Sequence, residues 1–289
     1  MVLDMSKYHE EFENYLKKYV EENKDNVPTL HIITDGKDER CKTYMKSKVN
    51  MCKKIGINCV IDIVKTEKEM LDLCENIWST YDVAICQLPI AKELEDVYKS
   101  EAESIDVDGM FGGNNIFNNY GLDIIPATAK GIMRYLKYEY KEKLRGKNIV
   151  LVGMGDLCNK PLMILFANQG ATVMTFNTST DENLKLEMLK NADIVVCAGG
   201  KKGTVKTSQL SDNKKVLVFN VGIVFDSNGK LDTELEIDVE KNNIDYTPRI
   251  KGVGVSTVLC LLDNVCRMTT YCNISKDIDK IIKEEGGNK

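Results

Sequence analysis

TLHIITDGKDERCKTYMKSKVNMCKKIGINCVIDIV, residues 29–64, changes its period twice. TLHIIT (29–34) and NCVIDIV (58–64) are short β-branched runs and read as strands. Between them, from about Lys37 to Ile55, the apolar residues recur at helical spacing. At about 100° per residue, Cys41, Tyr44, Met45, Met51, Cys52 and Ile55 fall within a wedge of roughly 120°, the buried stripe of a surface helix. Lys42, Lys46, Lys53 and Lys54 point elsewhere. Lys48 does not: it falls near the middle of the wedge, one turn from Tyr44. A charged lysine is costly to bury, so this one either snorkels to water or has a lowered pKa.

Strand, helix, strand is the start of a longer alternation. KEMLDLCENIW (68–78) reads as a helix, DVAICQLP (82–89) as a strand and AKELEDVYKS (91–100) as a helix. The order β-α-β-α-β-α predicts a mostly parallel sheet with helices on its faces. A polar Gly/Asn-rich stretch, DVDGMFGGNNIFNNYGLDIIP (106–126), reads as a loop or a domain crossing. A second series follows, with a helix over 129–144 and strands at 147–153, 172–177, 193–200, 215–223 and 244–248. Helices are predicted after the 147–153 strand and over 182–191, with a terminal helix from about Ser256 to Met268. EEGGNK at the end reads as a frayed tail.

Composition restricts the function classes. The 289 residues are 43% hydrophobic and 29% charged, a globular balance with room for two domains. A net charge of -5 does not suit nucleic acid or an acidic membrane as partner. The charged, helical N-terminal stretch MVLDMSKYHEEFENYLKKYVEENKD has no continuous apolar core, so neither a signal peptide nor a membrane span is expected. Ten cysteines are scattered without a CxxC pair, and Cys59, Cys86, Cys197 and Cys260 sit in apolar runs. They read as reduced thiols of a cytoplasmic protein. The two histidines, His9 and His31, lie near no cysteine pair, so no metal site is expected.

LVGMGDLCNKP (151–161) is a strand end, a glycine turn and a helix start. Gly153 and Gly155 permit a sharp turn, and the helix N-terminus offers free N–H groups to a phosphate. The third glycine of the dinucleotide fingerprint is missing. Two further strand-end loops carry glycine, CAGGKKG and NVGI.

Taken in order, these motifs give the chain a resemblance to the bifunctional methylenetetrahydrofolate dehydrogenase/methenyltetrahydrofolate cyclohydrolase family. YMKSK resembles the family's Y-x-x-x-K helix, CQLPI its V-Q-L-P-L strand end and DVDGM its K-D-V-D-G-F. IPATAKGIM stands at P-C-T-P-x-G, GKNIVLVGMGDLCNKP at G-K-x-V-x-V-I-G-R-S-x-x-V-G-x-P, and NVGI at D-V-G-I. YTPRIKGVGVST occupies the place of I-T-P-V-P-G-G-V-G-P-M-T.

The resemblance implies an α/β fold of two α/β domains with a cleft between them, the second Rossmann-like. Residues 1–125 plus 256–289 would form the folate-binding catalytic domain and 126–255 the cofactor domain. It implies a homodimer that oxidises 5,10-methylene-tetrahydrofolate with NADP or NAD and hydrolyses the methenyl product to 10-formyl-tetrahydrofolate. Lys48 would be the base of the hydrolysis, Gln87 its hydrogen-bond partner, and Asp108 the acceptor for the pterin N–H groups. Tyr44 would stack on the aminobenzoyl ring, with Leu88 and Pro89 beside the substrate. Gly153, Met154, Gly155, Asp156, Thr178, Gly200 and Ile223 would line the cofactor site.

The chain also departs from the family pattern. Met154-Gly155 replaces Arg-Ser, removing a cation and a hydroxyl suited to the 2′-phosphate of NADP, and Asn159 replaces a glycine. NTST (177–180) supplies hydroxyls but neither a carboxylate nor an arginine, and Lys201 and Lys202 are the cations left to consider. Two other readings remain: a monofunctional NAD-dependent dehydrogenase and a non-catalytic folate-binding relative. A shikimate-dehydrogenase-like oxidoreductase would not explain QLP together with DVDG.

Overall fold

The computed structural model describes residues 1–109, 124–140, 144–225 and 231–286, and of 271–286 the backbone alone. The chain is α/β and divides into two compact units, residues 11–127 with 258–289 and residues 1–10 with 128–257.

In the first unit β1 (Leu30–Thr34) lies between β2 (Cys59–Ile63) and β3 (Val83–Cys86), all parallel. The helices α2 (Glu39–Ile55) and α3 (Glu67–Ser79) connect these strands, while α1 (Ser6–Glu22) precedes β1 and α4 (Lys92–Glu101) follows β3. Thr66 caps α3 by accepting the Glu69 N–H at 3.2 Å, and Glu67 and Glu69 favour the positive end of that helix. Ile33, Ala84 and Cys86 pack on Met70, Cys74 and Ile77 of α3 and on Leu94 and Tyr98 of α4. β1 and β3 are apolar almost throughout because both of their faces are covered. β2, at the edge, leaves Val60, Ile61 and Ile63 exposed.

The segment after α4 adds a short parallel pairing on β3. Ala84 N–H donates to Ile105 O at 2.8 Å and Val107 N–H to Ala84 O at 3.0 Å. This pairing carries Asp108 to the carboxyl end of the sheet. Of the polar 106–126 stretch, residues 110–123 lie outside the described residues. Both of its flanks are tied by buried Asn264, whose amide donates to Val107 O at 2.8 Å and Ile125 O at 2.9 Å.

In the second unit five parallel strands run in the order β12 (Ile244–Tyr246), β8 (Val216–Asn220), β6 (Ile194–Cys197), β4 (Asn148–Val152) and β5 (Thr172–Phe176), and the short strands β7 (Val205–Lys206), β9 (Ile223–Phe225), β10 (Leu231–Thr233) and β11 (Leu235–Glu236) pair outside that sheet. The chain passes from β4 to β5 on one side and returns to β6 on the other, which makes β4 the switch point of a doubly wound sheet. Here α5 (Ala127–Tyr140), α6 (Asn159–Asn168) and α7 (Glu182–Asn191) flank strands whose core includes Val150, Val152, Val195, Val218 and Phe176. Met1–Glu10 belongs to this unit because Val2 bridges to Tyr246 and Leu3 N–H donates to Tyr246 O at 2.9 Å.

Two helix lengths differ from the sequence reading. α8 runs Val253–Gly286 rather than from Ser256 to Met268, because no Gly or Pro interrupts residues 255–285. The tail after Gly286 lies outside the described residues, as do 141–143, where the 129–144 helix was expected to finish. Among the described residues no helix is long and apolar enough to cross a membrane.

Candidate active site

Lys48 sits on α2, which follows the central strand of the three-stranded sheet, and Gln87 is the first residue after β3. Lys48 Nζ donates to Gln87 Oε1 at 2.8 Å, and Gln87 Nε2 donates to Leu88 O at 2.9 Å. The Gln87 backbone N–H donates to Ile33 O at 2.8 Å, so the residue is held at both ends. Burial pushes the Lys48 amine below the ordinary lysine range, and the Asp108 carboxylate opposes that shift. Asp108 answers in kind: burial pushes its carboxyl up, while Lys48 and a hydrogen bond from the Ala127 backbone hold it down. Lysine, glutamine and aspartate therefore come together beyond the carboxyl ends of β1 and β3, where open α/β sheets bind ligands.

Within the helical wedge, Cys41, Met45, Cys52 and Ile55 are buried. Tyr44 is not: it is 40% exposed and lies outside the buried stripe where the periodicity placed it. Tyr44 and Met51 form the trailing edge of the wedge, which the sheet does not cover, whereas Lys48 lies within the covered arc. Leu88 is half-buried and Pro89 exposed, and the Cys41 thiol donates to Leu88 O at 3.5 Å across the start of α2. Asp35, which the sequence reading passed over, is buried after β1. Its carboxylate accepts the Lys37 N–H at 3.0 Å and the Ala91 N–H at 3.2 Å, fixing the loops on both sides of the site.

The second unit carries the glycine turns. Gly153 has φ +80, and a Cβ there would lie 2.7 Å from Ala198 O, so only glycine fits. A Cβ at Gly155 or Gly200 would meet nothing within 4 Å, which leaves open room for a ligand against their backbone. Met154 is half-buried, and Asp156 and Thr178 are exposed. The side chain of Ile223 lies outside the described residues.

Asn159, set against a glycine of the family pattern, is fully buried. Its Nδ2 donates to Val152 O at 2.9 Å and Gly153 O at 2.7 Å, so a side-chain amide clamps the turn. The open backbone at Gly155, ahead of the α6 N-terminus, fits a dinucleotide pyrophosphate.

Sequence comparison matches residues 3–108 to the catalytic domain, and residues 126–273 to the NAD(P)-binding domain, of tetrahydrofolate dehydrogenase/cyclohydrolase. The chain belongs to the tetrahydrofolate dehydrogenase/cyclohydrolase family. The bifunctional protein FolD of Nautilia profundicola is 32% identical over 288 residues, covering 96% of this chain and 99% of that protein. The fold is similar to that of the Trypanosoma brucei methylenetetrahydrofolate dehydrogenase-cyclohydrolase solved with NADP and an inhibitor. That structure superposes with a TM-score of 0.84 at 24% identity, covering 94% of this chain and 97% of the other. The NAD-dependent dehydrogenase of Saccharomyces cerevisiae gives a TM-score of 0.75 at 19% identity, covering 95% and 98%.

Proposed function

We propose that the protein oxidises 5,10-methylene-tetrahydrofolate with NAD or NADP and hydrolyses the methenyl product to 10-formyl-tetrahydrofolate. The observation that carries the reading is Lys48 held by a neutral amide, with Asp108 beside it. Hydrolysis of the cationic bridge needs a base. The neutral Lys48 amine takes a proton as water adds to the bridge carbon. The adduct then opens at the N5–carbon bond, the hydroxyl becomes the formyl carbonyl, N5 takes up a proton, and one proton leaves to solvent. Gln87 accepts one N–H of the amine and so aims its lone pair. Asp108 accepts from the pterin N–H groups, and Tyr44, Leu88 and Pro89 flank the substrate.

When bound, the nicotinamide supplies the hydride acceptor. The chain's part in that step is alignment, because the substrate's own nitrogen lone pairs expel the hydride. Gly153, Gly155 and Asn159 shape the pyrophosphate turn, while Met154, Asp156, Thr178, Gly200 and Ile223 surround the rest of the cofactor. Residues 11–127 with 258–289 take the folate, and residues 128–257 take the cofactor. The test is purified protein with methylene-tetrahydrofolate and each cofactor, following reduced nicotinamide and methenyl product. No turnover with either cofactor rejects the dehydrogenase, and unchanged hydrolysis in Lys48→Met rejects the assigned base.

The working form is a homodimer, joined where β2 exposes Val60, Ile61 and Ile63 along an open strand edge. It acts in the cytoplasm, a reading supported by the free thiols of the described cysteines.

A further inference from the structure

Glu234 is fully buried in the second unit and has no role in the chemistry above. It precedes the two-residue strand Leu235–Glu236, and its side chain reaches the carboxyl ends of the parallel strands. Oε2 accepts the Gly199 N–H at 2.9 Å and Oε1 accepts the Gly200 N–H. A Cβ at Gly222, just after β8, would overlap Oε1, so that glycine leaves room for the carboxylate. Two oxygens that both accept backbone N–H groups favour the ionised carboxylate, against the burial that opposes it. The titratable groups facing it are the Cys158 and Cys197 thiols, both pushed up and neutral over the working range. Among the described residues no cation acts on it.

Position gives this charge its meaning. The pyrophosphate turn follows β4, and the two halves of a dinucleotide lie on either side of that switch point. The adenosine half belongs on the β5 side, and the other half over the loops after β6 and β8, which are the loops Glu234 holds. The nicotinamide ring is cationic when oxidised and neutral when reduced. We propose that Glu234 is a positioning residue of the cofactor site, fixing the Gly199–Gly200 loop and providing a negative charge that favours the oxidised over the reduced cofactor. The inference rests on the proposed function and adds to it a source of redox-state discrimination.

The test measures dissociation constants for NAD and NADH, by calorimetry and by nicotinamide fluorescence, in wild type and Glu234→Gln. Glutamine keeps the size and one acceptor but not the charge. NAD affinity should fall about tenfold, the weight of one partly screened charge, with NADH affinity changed less than about threefold. Equal weakening of both forms, or no change in either, overturns the proposal. If Glu234→Gln does not fold, wild type decides the matter. Burial raises the Glu234 carboxyl above the ordinary range, so its preference for NAD should shrink as the pH is lowered across the range in which the protein stays folded. A constant preference across that range overturns the proposal. Wild-type protein that binds neither cofactor would instead refute the proposed function itself.

Discussion

Lys48 Nζ and Gln87 Oε1 are 2.8 Å apart, and the Gln87 amide is turned by its own bond to Leu88 O so that its oxygen faces the amine. A neutral acceptor steadies the lysine without binding its proton. Lys48→Met should lower hydrolysis of methenyl-tetrahydrofolate by about 10²–10⁴-fold, the usual weight of a general base. Its melting temperature should stay near that of wild type, because a buried amine is exchanged for a thioether of similar length. Gln87→Glu would place an opposite charge at the same point and raise the Lys48 pKa. Its activity at neutral pH should fall and return in alkali, which a pH–rate profile will show.

The same profile in wild type has a fixed sign. The neutral amine is the active form, so hydrolysis rises with pH through the Lys48 pKa. Burial sets that inflection below the ordinary lysine range, and Asp108 keeps it from falling further. Asp108→Asn should therefore move the inflection to lower pH while raising the substrate KM. An inflection that does not move would mean that the carboxylate and the amine are not coupled.

Cofactor preference should favour NAD. Among residues 153–158 and 177–181 the charges are Asp156 and Asp181. Lys160 is paired with Asp156, and Asp181 caps α7 by accepting the Asn183 N–H at 3.0 Å. A 2′-phosphate would meet no cation from these two loops. We expect kcat/KM for NAD to exceed that for NADP by about tenfold or more, and Met154→Arg to narrow the gap. Equal use of both cofactors would point to Lys201 or Lys202.

Acid should weaken the fold through His9. This ring is buried, its Nε2 lies 2.9 Å from Ser256 Oγ, and burial lowers its pKa from 6.5 to about 4. The unfolded chain therefore binds the proton first. The stabilising effect of the neutral ring is complete above pH 6.5 and is lost as pH falls toward 4. By pH 5 the loss approaches about 2 kcal/mol. Denaturant melts at pH 7.5 and 5 should show this difference, and His9→Gln should shrink it.

The β2 edge gives a solution test of assembly. Val60, Ile61 and Ile63 are 42%, 43% and 61% exposed. Replacing Ile61 and Ile63 together by Lys places like charges along an edge that two copies would share. Sedimentation should then shift from dimer to monomer, with far-UV circular dichroism unchanged. A double variant that remains dimeric would place the interface elsewhere.

The sequence by itself determined the order of the main parallel strands and their helices, though not the short strands between Val205 and Glu236, because period and β-branching are local properties of the chain. It also determined that Lys48 stands on a buried helix face, since a helical rotation of 100° per residue needs no knowledge of what covers it. It could not decide that Tyr44 faces solvent, because the same wedge that buries Lys48 is covered along only one of its edges. The tertiary structure alone decided the company these residues keep. Gln87 and Asp108 lie 39 and 60 positions from Lys48, and only the parallel pairing of β1 with β3, and of Ala84 with Asp106, brings the three to one sheet edge. Asn159 and Glu234 were hidden for the same reason. Each is defined by backbone groups distant in sequence, and a hydrogen bond across a sheet leaves no local pattern in the residues that make it.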